Sequence, residues 1–322
     1  MSRYQNSIPS HPLENKENST LYQNQRRETN KSFKSGTDRV PNGLVFNNSF
    51  KNLDNYQHKN SCVQKVSIHE ETIMKHLINI DNSPLLTDNF YKIQLEITDK
   101  MRSILIDWLI DVGQKFKLKT GTIFRTVATI DRYLAKEIVL KKEFQLVGIA
   151  TLMLISKYEE IYPPQLKDYV SVCDNAFSKD IVLEMESKII LKLEFKLSYP
   201  TAYCFFEHLV SRIDMPIRLK TFCLYILEVG LLDISILKYS SLTQAASVIF
   251  LVSKIFKEDK IRDGFQDKFL ITEQQAREGA KELYVCLQKH DLSSFTAIKR
   301  KFSSHENFEV SKYKIERIDN HR

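Results

Sequence analysis

Two helical runs with almost no polar face govern what this chain can fold into. Residues 145–160 read Gln-Leu-Val-Gly-Ile-Ala-Thr-Leu-Met-Leu-Ile-Ser-Lys-Tyr-Glu-Glu, apolar nearly all round with small residues interspersed. Such a helix belongs at the centre of a bundle, with neighbours packed close at Gly148 and Ala150. Tyr162-Pro163-Pro164 stops it, because proline lacks an N–H and clashes with the preceding turn. A shift of 97 residues lays Gly148–Lys157 over Ala245–Lys254, small residue on small residue, with Ser-Lys ending both runs. Further helical periods flank each run. In the first half they are a short one through Ile68, Ile73, Leu77 and Ile80, then Thr122–Ala135, Gln165–Cys173 and Ser178–Leu193. In the second they are Tyr203–Ile213, Arg218–Leu231 and Glu273–Gln288. No β-rich alternating segment occurs. The expected fold is all-α, two tandem bundles of five helices over residues 66–198 and 199–315.

Residues 1–65 differ in kind. Only ten of the first sixty residues are Leu, Ile, Val or Phe, too few to offset the ordering entropy, so a disordered tail is expected. The first sixty residues hold nine Lys/Arg against five Asp/Glu, over half of the chain's net charge of +7. That placement argues against a nucleic-acid-binding face on the bundles. Cys62, Cys173, Cys204, Cys223 and Cys286 form no CxxC pair and read as reduced thiols of an intracellular protein. No apolar run reaches the ~18 residues of a membrane span, and no signal-peptide core opens the chain.

The helix through Met101–Val112 carries the single tryptophan. On a helical wheel Met101, Leu105, Ile106, Leu109, Ile110, Val112 and Phe116 share one sector, and Ile104 and Trp108 widen it to roughly 240°. A surface helix needs a stripe of about 100°. The polar remainder is a narrow strip of Ser103, Asp107, Asp111, Gln114 and Lys115. The helix must therefore be covered on two sides or leave an apolar edge for a partner. That edge is Ile104 and Trp108, interleaved with Asp111, although periodicity alone favours Trp108 as core. Arg102 points into the apolar sector, where an unpaired guanidinium would cost several kcal/mol. Asp131, set among Ile123, Val127, Ile130 and Leu134, is its natural partner.

Catalytic patterns are missing from the sequence. The eight glycines form no GxG, P-loop or GxSxG, and the eight histidines fall in no HExxH or Cys/His cluster. No enzyme, cofactor or metal site is expected. Glu159 and Glu160 are adjacent, cannot face each other, and suit a solvated helix end. The repeat isolates one pair instead. Lys157 ends the central helix, where a cation suits the dipole, and maps to Lys254. Glu186 maps to Leu283, so only the first bundle could form a Lys157–Glu186 ion pair; spacing alone leaves a solvated Lys and an unrelated Glu equally open.

Four blocks resemble the cyclin box in order and spacing: Met101-Arg102-Ser103-Ile104-Leu105-Ile106-Asp107-Trp108-Leu109, Ile130-Asp131-Arg132-Tyr133, Leu146-Val147-Gly148, and Ser156-Lys157-Tyr158-Glu159-Glu160-Ile161-Tyr162-Pro163-Pro164. Lys115-Phe116-Lys117-Leu118 makes the likeness strongest to mitotic B-type cyclins, with A-type close behind. The resemblance implies a non-catalytic regulatory subunit that forms a heterodimer with a cyclin-dependent kinase, activates it, and controls the G2/M step in nucleus and cytoplasm. It implies kinase contacts at Lys157, Glu186, Tyr158, Phe195 and Leu197. It implies a docking patch for substrates or inhibitors with Arg-x-Leu motifs at Met101, Ile104, Leu105, Trp108, Asp111 and Gln145. Arg102 and Asp131 match the family's structural ion pair. No nucleic-acid or membrane partner is implied.

The sequence departs from the family in three places. Asp111 stands where Glu is common, and Ser103 where Ala is usual. No Arg-x-x-Leu destruction box precedes the fold, since Arg3, Arg26, Arg27 and Arg39 are followed three residues later by Asn6, Thr29, Asn30 and Asn42. Lys16-Glu17-Asn18 is then the expected signal for a ubiquitin ligase of the anaphase-promoting type. Ser83-Pro84 reads as a turn or a proline-directed phosphosite. The rival architecture on paired helical bundles is a general transcription factor, or a transcriptional cyclin.

Overall fold

The computed structural model describes residues 69–81, 90, 92–263, 265 and 269–313; Lys16-Glu17-Asn18, Cys62 and Ser83-Pro84 lie outside them. The described residues are helical and contain no strand. After a leading helix α1 (Glu70–Ile80), the first bundle comprises α2 (Asp99–Lys115), α3 (Thr120–Leu134), α4 (Phe144–Glu159), α5 (Leu166–Val172) and α6 (Lys179–Lys192). The second comprises α7 (Ala202–Val210), α8 (Ile217–Leu232), α9 (Ser241–Ile255), the single turn α10 (Asp259–Arg262), α11 (Glu273–Leu292) and α12 (Ala297–Phe302). The 97-residue shift holds to the residue at two helix starts: Thr120 maps to Ile217 and Phe144 to Ser241.

Local chemistry sets the boundaries. Thr98, Ser178, Thr201 and Ser240 each accept an N–H at the start of α2, α6, α7 and α9, and such caps contribute about 1 kcal/mol each. Thr272 and Gln275 close a reciprocal capping box on α11. The central helices are the ones the sequence required. From Phe144 to Ser156 only Gln145 of α4 is exposed, and from Leu242 to Ser253 of α9 only Thr243 escapes full burial. Helix α4 packs on α3 and α6, and α9 on α7 and α11. Gly148 is needed where α2 crosses α4, because a Cβ there would stand 2.8 Å from Leu105 Cδ1.

Two periodic faces differ at an edge from their expected positions. On α1 the buried residue is Met74, while Ile73 is 49% exposed. On α6 and at its end Met185, Ile189 and Leu193 are buried as the period requires, Val182 is buried with them, and Ile181 is 45% exposed. In each helix the apolar stripe is broader than its buried part, so spacing could not say which edge faced in. The short helix α12, absent from the periodicities, packs on α2 and joins α8 and α7 in linking the bundles.

Candidate functional site

The polar strip of α2 is the seam between the two bundles. Ser103 Oγ donates to the Leu232 carbonyl at 2.6 Å. The Ala297 N–H donates to Asp107 Oδ1 at 3.2 Å, and Gln114 Nε2 donates to the Ala297 carbonyl at 3.1 Å. Burial pushes the Asp107 carboxyl up, with the Thr296 and Ala297 N–H groups opposing. Asp111 pairs with Arg300. Ser103, unusual for the family the sequence resembles, thus anchors α2 to the end of α8.

Arg102 and Asp131 come together beneath this seam. Arg102 Nε and Nη2 donate to Oδ1 and Oδ2 of Asp131, each at 2.7 Å, and Nη1 donates to the Leu231 carbonyl at 2.9 Å. Both side chains are almost fully buried. The fork geometry satisfies two acceptors and one carbonyl at once, which a lysine could not do.

A second site forms at the C-terminal end of α4. Lys157 Nζ lies 2.5 Å from Glu186 Oε1 across the gap to α6. Glu186 is nearly covered, but Lys157 is half exposed, so the ammonium has donors left for a partner. Tyr158, half exposed, meets the Ser198 hydroxyl. Glu159 and Glu160 correct the solvated-end reading, since both are held. Glu160 Oε1 accepts from the Lys119 N–H at 2.8 Å and the Thr122 hydroxyl at 2.5 Å, capping α3. Glu159 pairs with Arg125, whose Nη1 donates to the carbonyls of Leu197 and Tyr199 at 3.0 and 2.8 Å. Arg125, which no motif pointed to, therefore fastens the segment after α6.

That segment carries Phe195, 66% exposed. Glu194 and Phe195 adopt φ of 54° and 58°, a left-handed conformation that costs a bulky residue on the order of 1 kcal/mol or more. The turn swings the ring outward. Leu197 is the correction here: at 6% exposure its side chain is core. Ile161 and Tyr162 after α4, and Leu183 and Leu191 of α6, are exposed as well, at 40–91%. Exposed apolar side chains on the two helices that hold a positioned cation suit an interaction surface.

Of the expected docking patch, Ile104 is 51% exposed, and Met101 and Trp108 are half-buried against the core. Gln145 is exposed on the first turn of α4. Leu105 is buried under Gly148, a floor to the patch and not a rim. Asp111 lies at the patch's far end, engaged by Arg300.

Comparison with known proteins agrees with this architecture. The family model described as cyclin, N-terminal domain matches residues 72–198, and cyclin, C-terminal domain matches residues 200–316. Cyclin-B2-2 of Oryza sativa subsp. indica is 35% identical over 222 residues, covering 68% of this chain and 52% of the rice protein. Cyclin-A3-2 of Arabidopsis thaliana is 34% identical over 233 residues, covering 69% of this chain and 61% of its own. The chain thus aligns with about half of the length of the curated relatives, or somewhat more. The X-ray structure of a viral cyclin from herpesvirus saimiri has the same fold, with a TM-score of 0.58 at 17% identity, covering 68% of this chain and 96% of that one. The chain belongs to the cyclin family, with its likeness strongest to A- and B-type members.

Proposed function

We propose that this chain is the regulatory subunit of a cyclin-dependent kinase, acting in mitosis, and that it also docks substrates. The observation that carries the reading is the Lys157–Glu186 pair, with Tyr158 exposed next to Lys157 and Phe195 exposed on the segment after α6. In a complex Lys157 would donate to backbone carbonyls beside a movable kinase helix while Glu186 holds its aim. Burial of these exposed apolar side chains would favour the kinase conformer whose own Lys–Glu pair and activation loop are in place. The chain does no chemistry in this scheme; it shifts a population.

Met101, Ile104 and Trp108 would seat the apolar residue of an Arg-x-Leu segment, with Gln145 beside them. Lys16-Glu17-Asn18 would direct timed destruction by a ubiquitin ligase of the anaphase-promoting type, and nucleus and cytoplasm are the expected compartments. Purification of the chain from dividing cells should recover a histone-phosphorylating kinase. Replacing Lys157 and Glu186 together by Ala should remove most of that activity; full activity in the double variant would refute the mechanism. A steady protein level through division, with Lys16-Glu17-Asn18 intact or replaced, would favour a transcriptional cyclin.

A further inference from the structure

The acid of the docking edge is already engaged from within the chain. Asp111 lies one turn beyond Trp108 on α2 and is half exposed, and Arg300 of α12 pairs with it. Arg300 reaches α2 because the first turn of α12 is tied there through Asp107 and Gln114. Its two neighbours turn elsewhere. Lys299 Nζ donates to the His290 and Asp291 carbonyls at 2.9 and 3.1 Å, and Lys301 pairs with Glu228. The apolar part of the edge stays open at Ile104, while the acidic part holds a guanidinium, the group a docking segment would bring.

We propose that Arg300 is a built-in competitor for the basic residue of a docking segment, an inference that rests on the docking reading of α2. Arg300 Nη2 holds Oδ1 of Asp111, so an incoming Arg that takes both carboxylate oxygens must displace Arg300 and gains only the difference between the two pairings. The chain therefore selects docking segments chiefly through their apolar residues, and Arg300 sets how much the basic residue adds. An ion pair this exposed is weak, so the competitor is a soft one, displaced and not locked.

The test titrates the full chain, and its Arg300→Gln and Arg300→Ala variants, with two labelled short peptides. One carries Arg-x-Leu; in the other that Arg is Ala. Both variants should bind the Arg peptide more tightly, by up to about fivefold, and bind the Ala peptide as the parent does. The gain should shrink in high salt, where exposed charges are screened, and vanish when Asp111→Asn is added. An Arg-peptide affinity that does not change in either variant, or an equal gain for the Ala peptide, overturns the proposal and leaves docking intact. If neither peptide binds any form of the chain, docking at α2 has failed, and the competitor role fails with it.

Discussion

The two bundles share a backbone plan and differ in where they keep charge. Both carry a buried carboxylate at the same repeat position, Asp131 and Glu228, 97 residues apart. In the first bundle the cation is Arg102 from the bundle's own first helix, a bidentate partner as buried as the acid. In the second it is Lys301 from the last helix, which reaches a single oxygen of Glu228. Burial pushes the Glu228 carboxyl up, and Lys301 only partly opposes that. The repeat kept the acid and changed the source of its partner, so the second bundle is closed by α12. The ends of the two central helices differ as well. Lys157 has Glu186, whereas Lys254 lies over the Phe250 ring and the position of Glu186 holds the buried Leu283.

Breaking the tighter of the two pairs should have the largest effect. Arg102→Ala leaves Asp131 buried without its partner and should cost about 3–5 kcal/mol of stability, seen in urea unfolding. Lys301→Ala should cost less, because Glu228 can take up a proton; an equal loss would show that the two sites are equivalent.

His290 offers the next test, since the first bundle holds Leu193 at that position. Its ring is buried, and burial, reinforced by Lys299, lowers its pKa to about 4. A base depressed in the folded state supports the fold above its unfolded value of 6.5 and withdraws that support as pH falls toward 4. The loss should approach roughly 3 kcal/mol. Thermal melts of His290→Leu between pH 7 and 4 should lack this acid-side decline.

The ends of α4 and α9, the first of them proposed to meet a kinase, can then be compared directly. Glu186→Leu, which installs the residue of the second bundle, should weaken kinase binding by about tenfold or more, as loss of a central polar anchor does. Lys254→Ala should leave it unchanged. Equal effects in a pull-down titration would remove the distinction between the bundles.

The smallest effect is expected from Glu228→Gln. A carboxyl whose folded pKa is raised favours the fold most below its unfolded value of 4.5, and that contribution is lost as pH rises through the folded value. The parent should therefore lose melting temperature relative to Glu228→Gln as pH climbs from 4.5. A gap that does not vary with pH would mean Lys301 fully offsets the burial.

Much of this was legible from residue order. The all-round apolar runs could only be central helices, and Arg102 in an apolar sector demanded an acid that Asp131 could supply. The difference between repeats singled out Lys157 and Glu186, but spacing left their pairing open. Arg125, Arg300 and Lys301 were not legible, because their partners lie 34, 189 and 73 residues away and no periodicity marks a surface cation. Leu197 was misplaced for a related reason: its position after α6 is plain in the sequence, but the turn at Glu194 and Phe195 decides which side chain faces out.

By itself, then, the sequence determined the helices, their doubling and the two charges that could not stay unpaired, since burial patterns and desolvation costs act locally. The tertiary structure alone decided that the polar strip of α2 is a seam. A six-residue helix has too few turns to show a face, and α12 acquires its role only by landing on Asp107, Asp111 and Gln114.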